Sequence, residues 1–134
     1  MPATADSLAL IVDDRAEVAE TLAEMCRAFG FAAEVAEQGV GMAALLERHH
    51  PRCVIVDVLM PHEDGYEALK EIARFDPNLP VMLVTGYGDT WLEMGQQLGH
   101  AQGLATVHTA AKPVRVHAMR GFLEVVQGGP VQLQ

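Results

Sequence analysis

The chain has 134 residues, half of them hydrophobic, and a formal charge of −9. That length suits one domain around one core. No basic stripe is present to neutralise nucleic-acid phosphates, and the sign of the charge disfavours adhesion to anionic membranes.

Leu8 to Val12 is a short continuous apolar run, as expected of a strand buried on both faces. Arg15 to Phe29 reads as a helix: Val18, Leu22, Met25, Cys26 and Phe29 recur at spacings of three and four, and Gly30 stands where a C-terminal cap belongs. Phe31 to Ala36 is a weaker strand, which Glu34 places nearer the sheet edge. Val40 to His49 is a second helix, stopping before Pro51. Arg52 to Asp57 is the strongest strand pattern. Pro61 to Gly65 reads as a loop, and Tyr66 to Phe75 as a short helix ended by Asp76-Pro77. Pro80 to Thr85 is a strand, and Asp89 to His100 a helix that Asp89 or Thr90 can cap. Ala105 to Thr109 is a weak strand. Val114 to Val126 is the last helix, with Val116, Met119, Phe122, Leu123 and Val126 as its apolar stripe. Residues 128–134 read as a frayed, flexible tail.

Five strands alternating with five helices predict a doubly wound parallel α/β sheet with right-handed crossovers and helices on both faces. A single domain is expected, with its core between about residues 7 and 127. No apolar run approaches the roughly 20 residues of a membrane span. Residues 1–7 lack the basic and apolar regions of a signal peptide, so a cytoplasmic protein is expected. Cys26 and Cys53 fall in a predicted helix and a predicted buried strand, which favours packed, reduced thiols.

The predicted strands deliver polar groups at their C-terminal ends: Asp13 and Asp14 after the first, Asp57 at the third, Thr85-Gly86 at the fourth, Lys112-Pro113 after the fifth. In an open parallel sheet that edge is where ligands sit. Each residue taken singly has a plain structural reading, as a turn former, an N-cap or a solvated lysine. Together, three carboxylates in one pocket repel one another unless a cation compensates them. Mg²⁺ (or Mn²⁺), a hard ion taking oxygen ligands, suits the set. The chemistry such an assembly favours is phosphoryl transfer to a carboxylate nucleophile, giving an aspartyl-phosphate. The protein's part is in-line positioning and charge neutralisation, with Lys112, the Thr85 hydroxyl and nearby backbone N–H groups facing the phosphoryl oxygens and Gly86 leaving room for entry.

Asp13-Asp14, Asp57-Val58-Leu59-Met60-Pro61 with Asp64-Gly65, Thr85-Gly86 and Lys112-Pro113 closely resemble the receiver domain of two-component response regulators, of the single-domain kind found in chemotaxis. The resemblance covers about residues 7–127. It implies a flavodoxin-like sheet of strand order 2-1-3-4-5. Asp57 would be the phosphoacceptor for a sensor histidine kinase or a histidine phosphotransfer protein. Asp13, Asp14, Asp57 and the backbone carbonyl of Leu59 would hold the metal. Thr85, Gly86 and Lys112 would contact the phosphoryl group, and Pro61, Gly65 and Pro113 would shape the loops. The signal would pass to a further protein partner of unknown identity, or by phosphotransfer, with neither nucleic acid nor membrane involved. Homodimers through the fourth and fifth helices are known in the family. The chain would be a signalling protein and no enzyme beyond its own phosphorylation and dephosphorylation.

Two departures stand out. Receivers usually carry Phe or Tyr three residues before the lysine, as a switch coupled to the threonine; here that position is Thr109. Thr85 to Lys112 also spans 27 positions, more than is typical, with the extra residues expected around Gly95 to His100. Leu59 and Tyr87, at the positions flanking the path of attacking water in the family, are bulky and predict slow self-dephosphorylation. Other classes fit less well. An aspartyl phosphohydrolase needs a second Asp where Leu59 stands. A cofactor-binding flavodoxin-like domain needs a phosphate-binding loop where Asp13-Asp14-Arg15 stand. A phosphorylation-independent interaction module would be expected to have lost part of the acidic set. Of the six histidines, His49-His50 stand together at a predicted helix end, His62 lies near the active loop, and His100, His108 and His117 show no clean ligand spacing.

Overall fold

The computed structural model describes residues 7–36, 40–57, 63–86 and 89–133, with backbone only at 63–66, 89 and 91. Five strands and five helices alternate: β1 (Leu8–Val12), α1 (Ala16–Ala28), β2 (Ala32–Val35), α2 (Met42–His49), β3 (Cys53–Asp57), α3 (Glu63–Phe75), β4 (Val81–Thr85), α4 (Asp89–Ala101), β5 (Val107–Ala111) and α5 (Val116–Gln127). The strands form one parallel sheet in the order β2-β1-β3-β4-β5, as expected.

Strand alternation divides the core into two layers. Ala9, Ile11, Ile55, Met82 and Val84 face α1 and α5, where Leu22, Cys26, Met119, Phe122 and Leu123 meet them. Leu10, Val54, Val56 and Leu83 face the opposite layer, with Leu45, Leu46, Leu69 and Ile72 from α2 and α3. All but a few of these side chains are inaccessible to solvent. Each buried aliphatic or aromatic side chain contributes about 1.5–3 kcal/mol, which makes the central strands the anchor of the molecule. Glu34 is exposed on β2, an edge strand, as its charge predicts. Both thiols are free and buried. Burial pushes Cys26 up to about 12 and raises Cys53 well above the ordinary thiol range.

Four sequence expectations need correction. The last strand lies two residues later than Ala105–Thr109. The chain leaving α4 spends those residues on a turn in which Gly103 adopts a positive φ of 101°, the Leu104 N–H bonds the Gly99 carbonyl at 3.0 Å, and Leu104 buries itself as an anchor. α3 begins at Glu63, so Gly65 lies in its first turns and not in a loop; acidic Glu63 and Asp64 suit a helix start. α5 begins at Val116, whose side chain is 47% exposed and stands outside the stripe formed by Met119, Phe122, Leu123 and Val126. Finally, the tail turns back: Val131 is 7% exposed within the α1–α5 core layer, and its N–H bonds Glu124 Oε2 at 3.2 Å. Gln127 Nε2 fixes the bend by donating to the Pro130 carbonyl at 2.9 Å.

Candidate functional site

Parallel register brings the strand ends level. Val12 of β1 lies beside Val56 of β3, Asp57 beside Val84 of β4, and Thr85 beside Ala111 of β5. The residues next along β1 and β5, Asp13 and Lys112, therefore emerge at the same height as Asp57 and Thr85. The Lys112 N–H extends the ladder by one bond, to the Thr85 carbonyl at 2.9 Å. A cis peptide bond joins Lys112 to Pro113.

Asp13 is 7% exposed overall and its side chain is fully covered; Asp57 has a side chain 2% exposed. The Lys112 ammonium lies between them, 3.0 Å from Asp13 Oδ2 and 3.2 Å from Asp57 Oδ1. Asp13 Oδ1 accepts the Arg15 backbone N–H at 2.8 Å, an Asx turn that aims the carboxylate inward. The sequence offered Asp13 a turn or N-cap role, and the structure gives it the turn, two residues before the N-cap Arg15 of α1.

The charges do not balance. Burial first, and Asp13 next, raise Asp57 above the ordinary carboxylate range, and the ammonium of Lys112 only partly opposes them. Burial alone would lower Lys112, but its contacts with Asp13 and Asp57 outweigh that and hold it above the usual lysine range. Asp13 Oδ2 and both Asp57 oxygens are buried without a properly oriented hydrogen bond, even though the ammonium is close to two of them. Buried acceptors in this condition are costly. Asp14, exposed at the rim, completes a group of three carboxylates whose nearest oxygens all lie within 4.8 Å of one another. This is a donor set for a hard divalent cation: oxygen-only, anionic, partly open to water and short of positive charge.

Thr85 is 2% exposed at the end of β4, and a Cβ built at Gly86 meets nothing within 4 Å among the described residues. The structure thus brings together Asp13, Asp14, Asp57, Thr85, Gly86, Lys112 and Pro113 at one sheet edge. Leu59, Pro61, His62 and Tyr87 lie outside the described residues, as does the side chain of Trp91. Thr109 is half-buried on β5, beside Leu83 of β4. The segment expected to hold the additional residues is one helix of 13 residues, α4, running through Gly95 and Gly99. Among the described residues, no helix is long and apolar enough to cross a membrane.

The family described as response regulator receiver domain matches residues 9–119. A transcriptional regulatory protein, CpxR homolog, from Haemophilus influenzae is 37% identical over 91 residues, covering 67% of this chain and 39% of that protein. The matched curated relatives are mostly about three times as long as the segment that aligns with them. Among solved structures, the E. coli RcsC C-terminus with its linker region and phosphoreceiver domain superposes with a TM-score of 0.74 at 26% identity, covering 96% of this chain and 48% of that one. The chemotaxis response regulator CheY4 of Vibrio cholerae, 20% identical with a TM-score of 0.69, shares the fold over 94% of this chain and 99% of that one.

Proposed function

The chain belongs to the response regulator receiver domain family of two-component systems, and on that premise we propose that it takes a phosphoryl group onto Asp57 from the phosphohistidine of a sensor histidine kinase or a histidine phosphotransfer protein. The observation that carries the reading is the Asp13–Lys112–Asp57 cluster, with its buried, under-satisfied carboxylate oxygens. An Asp57 oxygen attacks phosphorus; a P–O bond forms as the P–N bond of the donor breaks, and its electron pair returns to the imidazole. Lys112 moves from the carboxylates toward the phosphoryl oxygens as charge builds on them, and the Thr85 hydroxyl donates to another. Asp13, Asp14 and Asp57 would hold Mg²⁺ (or Mn²⁺), together with the carbonyl of Leu59. When bound, the ion supplies charge neutralisation for both the carboxylates and the incoming phosphoryl group.

In this reading the protein is a cytoplasmic signalling module that turns over nothing but its own phosphoryl group. Leu59 and Tyr87 make self-dephosphorylation slow. Output passes by protein contact or onward phosphotransfer.

Acetyl phosphate with Mg²⁺, followed by intact mass, tests the proposal. One phosphate adduct is expected on the native chain, none without the metal and none on Asp57→Asn. A folded, Mg²⁺-binding protein that takes no phosphate from acetyl phosphate or from a phosphohistidine donor would refute it and leave a phosphorylation-independent interaction module.

A further inference from the structure

His108 sits on β5, an edge strand paired on one side only, with Met82 of β4 as its register partner. Strand alternation turns it toward the α1–α5 layer, the side that Ala110 also faces. Its imidazole packs against the ring of Phe122 on α5, with centroids 5.3 Å apart and planes inclined by 59°. Phe122 has no solvent exposure, and His108 is half-buried. Neither ring nitrogen has a hydrogen-bond or ion-pair partner among the described residues.

No charged group answers the ring from the elements around it. β4 is Val81-Met82-Leu83-Val84-Thr85, without a titratable side chain. On α5, Arg120 and Glu124 stand two residues either side of Phe122, which puts them on the far side of the helix at about 100° per residue. Arg120 lies over Phe29, and Glu124 accepts the Val131 N–H. Arg115 and His117 belong to the start of α5, one to two turns away from Phe122. Lys112 shares the strand face of His108 but is engaged with Asp13 and Asp57. α4 covers the opposite face of β5, through Gln96 and Gly99 at Val107. Protonation would therefore set a cation against a buried apolar ring with no carboxylate to receive it.

We infer that His108 is an acid-sensitive latch: the neutral imidazole holds α5 on β5, and the protonated ring lets the β5–α5 unit open ahead of the rest of the fold. Burial lowers His108 below its ordinary value of 6.5. Its contribution to stability is thus complete above pH 6.5 and is lost as pH falls from there through the lower folded value. An edge strand at the end of the chain is where such sub-global opening costs least. Lys112 directly follows β5, so an opened unit carries the ammonium away from Asp13 and Asp57. The inference goes beyond phosphoacceptance and does not depend on it.

Two NMR measurements on the whole chain test it. The His108 ring proton is expected to titrate with a midpoint below that of the same histidine in the urea-unfolded chain. Amide hydrogen exchange, expressed as protection factors, is expected to show β5 and α5 less protected than β3. From about pH 8 to about pH 5 the β5 and α5 protection of the native chain should fall on the order of fivefold more than that of His108→Phe, which keeps a ring but cannot titrate. His108→Gln, which loses both ring and titration, should lower that protection already at the higher pH and show the same flattened response to acid. A ring midpoint at or above that of the unfolded chain would mean that the Phe122 face welcomes the cation and would overturn the latch. So would equal protection of β5, α5 and β3, or an equal acid response in the native chain and both variants. None of these readings involves phosphate, so failure here is distinct from failure of the phosphoacceptor proposal.

Discussion

At the scale of single residues, the site trades stability for reactivity. Asp57 is held above its ordinary value of 3.8 by burial and by Asp13. A carboxyl raised on folding disfavours the fold once it ionises, because the unfolded chain carries that charge at less cost. Asp57→Asn should therefore stabilise the metal-free protein at neutral pH. The gain should be on the order of 1 kcal/mol after allowing for solvent screening at the mouth, or about 2–4 °C in Tm. It should shrink as pH falls through the folded value of Asp57 and vanish below 3.8, where both states are protonated. Thermal melts across pH check it. Lys112→Met has the opposite sign: two buried carboxylates lose their cation, and a loss of about 3 kcal/mol is expected. Mg²⁺ should recover part of that loss and should stabilise the native chain more than Asp57→Asn. A Tm of the Lys112→Met variant that ignores Mg²⁺ would contradict the donor set.

Among the elements, α4 sits closer to the sheet than any larger residue would allow. A Cβ at Gly99 would stand 2.8 Å from Val107 Cγ2, and one at Gly95 would stand 2.8 Å from Leu83 Cδ1. Val107 is β-branched and stiff, whereas the tip of a leucine can turn. Gly99→Ala should therefore destabilise by about 1–3 kcal/mol despite better helix propensity, and Gly95→Ala by less. Gly121 in α5 meets nothing within 4 Å, so Gly121→Ala should stabilise by about 1 kcal/mol; urea denaturation ranks the three. The sequence disclosed the elements unevenly, for physical reasons. Continuous apolar runs announce β1, β3 and β4, because strands buried on both faces admit little else. They also locate Asp13, Asp57 and Thr85, since each follows or ends such a run. β5 reads weakly because Val107-His108-Thr109-Ala110-Ala111 is an edge strand with one half-exposed face and small residues. The turn that displaces it depends on Gly103 and Leu104, whose roles show only in three dimensions. The return of the tail rests on Val131, Glu124 and the Gln127 contact with Pro130, a signal too sparse for periodicity to register.

Taken as a whole molecule, the sheet has two edges and each is partly covered by a neighbouring helix. Arg27 Nη2 of α1 donates to the Ala33 carbonyl of β2 at 3.0 Å, and Gln96 Nε2 of α4 donates to the Val107 carbonyl of β5 at 3.2 Å. Covered edges resist strand-to-strand aggregation. The double variant Arg27→Ala with Gln96→Ala should aggregate sooner on heating, as light scattering would record. The two buried thiols give this architecture a use that has nothing to do with signalling. Cys26 sits on α1 and Cys53 on the central strand β3, both fully shielded and both far from thiolate at neutral pH. A disulfide reagent added to the native protein can react only when the structure opens. The chain thus carries an internal clock of its own opening, and a single cysteine placed on the surface would take a fluorescent label alone, with no need to remove the native pair.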